Sequence, residues 1–501
     1  MLRSILKYTL IVSLTALLFS CVEAEDFPTP QGARLSFSKD SLDLDTVIIG
    51  SSAATERFTI YNNNSDGISI TEVKLSDNKH FFINVDGTFI DGNLPSSIDC
   101  RNDDSLIVFL QYTAPQQIDS PFQEHETDII FTLANGISQS VHAKATALNA
   151  IILRDDTIKE NTIFNDSLPY AIYKGITIAE GVTLELQEGT TMFFNADAGL
   201  KVHGCLKAHG SLEKPITMRG NRLDNMFDKE TYDRVPNQWQ GITFTSSSYD
   251  NTLSYCDIHS GKYGIRCDSS DITKQKLLLE NSIIHNTKDH ALELYNTRSF
   301  IGNCQITNAG GNCINVYGGN NTFVHSTIGS FYIFEGGYGN ALFFSNHVGD
   351  TLYPIDTLFF YNSIITGYAT DEIFGDKYQK HEAIPFNFGF INCLLNTPEF
   401  ESDEDGTVIN CLWDNKKNKV CREANFKKFD TEYLYFDFSL DSLSVAIGNA
   451  DTEITNKYYP SDRLGTDRLN DGTSDIGCYE YKTDKAKAKA KAKAKAKAKQ
   501  C

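Results

Sequence analysis

Five charged side chains, Asp257, Arg266, Lys276, Glu280 and Glu293, fall in a run of strand-like segments whose alternation directs them outward. A Lys or Arg base beside acids that hold calcium suits proton abstraction next to a carboxylate. Two carboxylates roughly 5 to 9.5 Å apart suit glycosidic hydrolysis instead. Sequence order alone completes neither constellation, and charged residues along a solvated sheet also read simply as surface. Ser402-Asp403-Glu404-Asp405-Gly406 is an acidic loop that could hold calcium, but it lacks the spacing of a known calcium loop and reads equally as solvated chain. Calcium is therefore the only ion the sequence suggests. No cysteine or histidine pattern has metal-ligand spacing, and no cofactor motif is legible.

The elements that must position these residues come from an internal repeat. Tyr255-Cys256-Asp257-Ile258, Asn281-Ser282-Ile283-Ile284, Asn303-Cys304-Gln305-Ile306, His325-Ser326-Thr327-Ile328, Asn362-Ser363-Ile364-Ile365, Asn392-Cys393-Leu394-Leu395 and Asn410-Cys411-Leu412 align, with a unit near 22 residues interrupted by insertions. Second strands follow at Gly264-Ile265-Arg266, Ala291 to Leu294, Cys313 to Val316 and Ala341 to Phe344, and a third run appears at Lys276 to Leu279. Three short strands per turn predict a right-handed parallel β-helix over residues 148–445. Cysteine and serine share one slot of the repeat, which predicts a stacked column of buried free thiols, with a disulfide such as Cys411 to Cys421 as the alternative. Ser260, Asn286, Asn308 and Ser330, four residues further on, are expected to form a hydrogen-bonded ladder. The glycine-punctuated strands from Ile176 to Ala208 predict the first coils, entered through residues 148–170. The polar insertion Asn221 to Asn237 is a candidate binding side.

Residues 35–147 read as short strands separated by turn chemistry, which predicts a β-sandwich. Asn135-Gly136 should close a tight hairpin through positive φ angles. The order Leu42 to Val47 with Gly50, then Tyr61-Asn62-Asn63-Asn64, Phe81-Phe82-Ile83 and Val108-Phe109-Leu110 resembles immunoglobulin-like domains of the abnormal-spindle and hydin type. That resemblance implies a spacer or interaction module.

The chain opens with Arg3, Lys7 and an apolar stretch to Ser20, the layout of a signal peptide over residues 1–20. Leu18-Phe19-Ser20-Cys21 resembles the lipobox of bacterial lipoproteins, which implies acylation of Cys21 and a stable lipid tether. Residues 21–34 form an acidic linker, and acid directly behind the anchor resembles lipoproteins sent to the outer face of the outer membrane. No later apolar stretch of about 18 residues follows. Gly465-Thr466-Asp467-Arg468 and Asp475 to Glu480 resemble the closing segment of exported β-helix proteins, so residues 446–482 are expected to cap the last open edge. Residues 483–501, built from alternating Lys and Ala, cannot form a core and are expected to be disordered.

The formal charge of −20 would be −28 without the eight lysines of that tail, and such acidity argues against a nucleic-acid partner. Taken together, residues 21–481 resemble right-handed β-helix lipoproteins of gut-type Gram-negative bacteria. The resemblance implies a surface lipoprotein acting as a non-catalytic module for a glycan or as an accessory subunit of an outer-membrane protein complex. Polysaccharide lyase or glycoside hydrolase is the alternative it carries. Aromatic loops such as Phe331-Tyr332-Ile333-Phe334 and Tyr338 favour the binding reading, because they would present a surface without chemistry.

Overall fold

The computed structural model describes residues 26–90, 96–227, 230–337, 339–380, 384–414 and 420–482. Cys21, Tyr338 and the Lys-Ala tail lie outside them. Among the described residues the secondary structure is almost entirely strand, with one α-helix, Thr452–Tyr458, and no helix long and apolar enough to cross a membrane.

Two compact units divide the chain. The first is a β-sandwich of two five-stranded sheets. One runs Ser36–Phe37, Glu56–Asn62, Asp104–Tyr112, Phe81–Val85 and Thr88–Ile90, and the other Ser41–Ile48, Ser138–Leu148, Phe122–Leu133, Ile68–Leu75 and Ile98–Cys100. Strict alternation in Asp104–Tyr112 buries Leu106, Val108, Leu110 and Tyr112. Phe58 of one sheet meets Phe131 of the other edge-on, with ring centroids 6.3 Å apart, so the inner faces form the core. In the hairpin after Leu133 only Gly136 takes a left-handed φ, +84°, while Asn135 Oδ1 accepts the Ile137 N–H. The turn thus needs one positive φ, not two.

The second unit is a parallel β-helix of 26 strands. It starts within the segment expected as an entry, since Ile151–Ile158 already pairs in parallel with Tyr170–Ile178. Three ladders run along it. The first passes through Leu200–Val202, Ile242–Phe244, Ile265–Cys267 and residues 292–295, 314–317 and 342–345. The second passes through Thr183–Leu186, Cys205–His209, Asn251–Ser254, Leu277–Glu280 and the far halves of Leu292–Gly302 and Ile314–Val324. The third passes through Thr191–Phe194, Ile216–Gly220, Cys256–His259, Ile283–Thr287, Gln305–Ala309, Thr327–Ser330 and Ile364–Gly367.

Why these residues coil in register is visible at the bend between the second and third ladders. Tyr255, Asn281, Asn303, His325, Asn362, Asn392 and Asn410 all take left-handed φ angles between 45° and 57°. Asparagine tolerates that conformation better than other non-glycine residues, which explains its recurrence. The next residue of each repeat then turns inward, and Cys256, Ser282, Cys304, Ser326, Ser363 and Cys393 are fully buried. Carbonyls of this column are joined coil to coil: Gln305 N–H donates to Ser282 at 3.0 Å, Thr327 to Cys304 at 2.9 Å and Ile364 to Ser326 at 2.9 Å. Cys411, the candidate for a disulfide, carries a free thiol, as do Cys256, Cys304 and Cys393 of the column.

One expectation about the bends changes. Ser260, Asn286 and Asn308 do turn the chain, with φ angles of 52° to 58°, but they do not form a mutual ladder. Ser260 accepts from the Gly220 N–H, Asn286 donates to the Arg234 carbonyl and Ser330 to the Gly339 carbonyl. Asn286 and Ser330 thus satisfy crossing loops, whereas Ser260 bonds the end of the strand Ile216–Gly220 in the preceding coil. The segment 446–482 reaches back from the last coils along the flank of the stack. Gly477 N–H reaches the Asn362 carbonyl at 2.8 Å, Tyr479 Oη donates to Gln305 Oε1 at 2.7 Å, and Arg468 donates to Asn303 Oδ1 at 2.8 Å. Its apolar residues Ile476, Cys478 and Tyr479 pack with Phe331, Ile364 and Leu394, whose outward apolar side chains on the third ladder need that cover.

Candidate functional site

Outward positions of the third ladder change character along the stack. Ile364 and Leu394 are covered by the C-terminal segment, whereas Arg219, Asp257, His259, His285, Gln305 and Thr307 form a polar face nearer the start. Two segments wall that face. On one side stands the insertion, carrying Asp233 and Arg234; on the other stands the hairpin of Phe426–Asp430 and Tyr435–Leu440. Arg234 reaches the Tyr433 carbonyl and lies 5.3 Å from the Tyr435 ring, so the walls meet. Between them is a groove of about 460 Å³, lined by His285, Gln305, Thr307, Asn308, Lys427, Tyr435, Asp437 and Tyr479 among others.

The insertion is pinned by a charge cluster at the groove's end. His259 Nδ1 lies 2.8 Å from Asp257 Oδ1, and its Nε2 lies 2.9 Å from Asp233 Oδ1. His285 stacks on His259 with centroids 4.7 Å apart and reaches the same Asp257 oxygen at 3.2 Å. Arg219 pairs with Asp233. Burial alone would lower the His259 value, but the two carboxylates overcome it and lift the imidazole to about 9. Burial alone would raise Asp233, yet His259 and Arg219 hold it at about 2. Asp257 is likewise held well below the carboxylate range by the two histidines, against its burial. Asp257, His259 and His285 offer donor atoms close enough to hold a metal, but each is already hydrogen-bonded within this network.

One atom in the groove is not matched. Asn308 is only 3% exposed and its Oδ1 is buried without a hydrogen-bond partner. Buried polar atoms are nearly always satisfied, which sets this carbonyl oxygen apart from the rest of the lining.

The five residues singled out by sequence go to four places. Asp257 joins the histidine cluster. Arg266 and Glu293 are register partners on the first ladder, where Arg266 sits 5.0 Å from the Tyr295 ring and Tyr295 Oη donates to Glu293 at 3.3 Å. Lys276 does not face outward: it is fully buried and donates to the Thr245 carbonyl, because the bend preceding its strand turns it under Tyr249. Glu280 accepts from Tyr459 Oη at 2.6 Å, on the side clasped by the C-terminal segment. In the acidic loop Asp405 pairs with Lys377 at 2.6 Å, and Asp403 accepts the Asp405 and Gly406 N–H groups, so these carboxylates serve the turn. Phe331 and Tyr332, expected in a presented aromatic loop, are buried, and Phe331 packs against Phe426, Phe429 and Phe438. His259 and His285 were missed by sequence, although both stand three residues after an aligned slot.

A family model described as a right handed beta helix region matches residues 149–328. Similar solved structures include the catalytic unit of a thermostable GH87 alpha-1,3-glucanase from Streptomyces thermodiastaticus strain HF3-3, at 11% identity, 78% of this chain, 97% of that one and a TM-score of 0.27. The PapD-like domain 7 of human CEP192 matches at 11% identity, 26% of this chain, 94% of that one and a TM-score of 0.17. A family 123 glycoside hydrolase from Clostridium perfringens matches at 10% identity and a TM-score of 0.18; 25% of this chain is covered, and only 30% of the hydrolase. No curated protein matches. The likenesses are distant and carry no argument about activity.

Proposed function

We propose that this chain is an exported lipoprotein, anchored through acylated Cys21 to the outer membrane with its body on the cell surface, that binds a glycan in the groove of the third ladder without cleaving it. It acts alone or as the accessory subunit of an outer-membrane protein complex. The observation that carries the reading is Asn308 Oδ1, an acceptor with no partner in a groove whose lining includes amides, hydroxyls and the exposed Tyr435 ring. Sugars are recognised by that mixture of hydrogen-bonding groups and an aromatic face.

The protonation states of the nearby carboxyls favour binding without cleavage. Hydrolysis needs one carboxyl kept protonated as the acid, and here Asp233 and Asp257 are both held ionised. Carboxyls raised by burial lie elsewhere. Glu372, at about 7, accepts the Ala341 and Ala369 N–H groups, and Glu480, at about 8, pairs with Arg468. The test is a glycan panel scored for retention and for new reducing or unsaturated ends. Retention without new ends is expected; new ends would move the reading to a hydrolase or lyase, and no retention would remove the glycan.

A further inference from the structure

The sandwich unit holds a second group of donor atoms that the groove does not use. Asp77 and His80 stand in the turn between the strands Ile68–Leu75 and Phe81–Val85, and His125 projects from Phe122–Leu133. Asp77 Oδ1 is held in place by the backbone N–H groups of Lys79 at 2.9 Å and His80 at 3.3 Å. That leaves Oδ2 facing two imidazoles, with His80 Nδ1 at 2.8 Å and His125 Nδ1 at 3.9 Å. The rings lie 4.3 Å apart, edge to face, and the three residues offer donor atoms within 4.8 Å of one another.

The deep side of this group is unfinished. The His125 side chain is 8% exposed, and its Nε2 is buried without a hydrogen-bond partner. Tyr112 Oη is also buried without one, and its ring centroid is 5.7 Å from that of His125. A simple Asp77–His80 ion pair accounts for neither atom. Both atoms leave the deep side of the group short of a partner.

The geometry points to a site for a single divalent metal ion of the zinc class, held by Asp77, His80 and His125 with the remaining coordination left to water. Two imidazole nitrogens with one carboxylate suit zinc, whereas calcium and magnesium take oxygen ligands. Donors around a tetrahedral zinc stand about 3.3 Å apart, and the observed separations of 2.8 and 3.9 Å bracket that value. The backbone N–H groups on Asp77 Oδ1 supply the outer support that orients a metal-binding carboxylate. Such an ion would join the turn after Ile68–Leu75 to the strand Phe122–Leu133.

The whole mature chain, stripped with a chelator and titrated with zinc, tests the site. One zinc per chain is expected by elemental analysis after gel filtration, with a rise in Tm. Cobalt in its place should give the intense visible band of a tetrahedral site. Asp77→Asn, which keeps an oxygen for the backbone N–H groups, and His125→Ala should each weaken zinc binding by about 100-fold. His285→Ala, in the groove cluster, should leave it unchanged. Asp77→Asn should also melt like the parent in chelator, which separates lost metal from lost fold. No zinc retention by the parent chain, or retention that follows His285 instead of Asp77, would overturn the assignment.

Discussion

Ser282 shows how little room the stacked column leaves. Its hydroxyl accepts the Cys256 N–H at 3.0 Å and donates to the Glu280 carbonyl at 2.7 Å, and the residue is fully buried. Ser282→Glu would place an unpaired charge there and should cost about 3–5 kcal/mol by denaturant titration. Lys288→Glu, which only breaks an exposed pair with Glu335, should cost under about 1 kcal/mol. Equal melting of the two variants would contradict the column. The thiols give a second reading. Burial pushes Cys256 up to about 12 and raises Cys304 and Cys393, whereas the neighbouring Cys393 lowers Cys411, which is only half-buried. Since the thiolate reacts, Cys411 should be alkylated in the native protein well before Cys256 or Cys304. In denaturant, mass spectrometry should find Cys256, Cys304 and Cys393 labelled without reduction. These positions were legible because the left-handed residue one position earlier, asparagine in most repeats, fixes the bend, and a fixed bend fixes which side chain points in. Lys276 was misread because no such marker sets its register.

At the scale of elements, the insertion is held by ionised groups and should respond to pH. The folded value of His259 is raised from 6.5 to about 9, so its stabilisation is fully present below 6.5 and is lost as pH rises through about 9. The folded value of Asp233 is depressed from 3.8 to about 2, so its share is present above 3.8 and lost as pH falls through about 2. Hydrogen-exchange protection of residues 230–237, taken relative to the intrinsic rate at each pH, should therefore be greatest between those limits and should fall in mild alkali before that of the core ladders does. Protection that stays level across that range would show that the cluster does not hold the insertion. The C-terminal clasp depends on another buried charge: Arg468 pairs with Glu480 at 3.2 Å and donates to the Gly477 carbonyl at 2.9 Å. Arg468→Ala removes the donor to Asn303 Oδ1 and the Gly477 carbonyl and should cost about 1–3 kcal/mol for each buried acceptor left unpaired, read as early proteolysis of residues 446–482. The repeat announced the ladders, but nothing local announced that the insertion and the Phe426–Leu440 hairpin would wall the third one. Those contacts join residues some 200 positions apart, as Arg234 and Tyr433 show with a separation of 199. Only the shared three-residue offset of His259 and His285 from the slot could have signalled the cluster.

For the whole molecule, the two-part architecture followed from alternation, turn residues and the 22-residue unit, because each reports a backbone period directly. Function is less legible, since outward residues acquire meaning only once neighbouring coils and crossing loops bring them together. Anchorage is tested by Cys21→Ser, which should leave the precursor unprocessed at that site and release the body from membrane fractions; retention of the variant would contradict the lipid tether. Protease shaving of intact cells should cut the body if it is displayed outside. The most direct test of the central claim takes a glycan retained in the panel and titrates it against the parent chain, Asn308→Ala and Tyr435→Ala, while the products are analysed. The account predicts roughly tenfold or greater loss of affinity in each variant, the effect of losing one buried polar contact or one aromatic platform, with the glycan unchanged throughout. Unaltered affinity in both variants, or cleavage of the glycan by the parent chain, would contradict it.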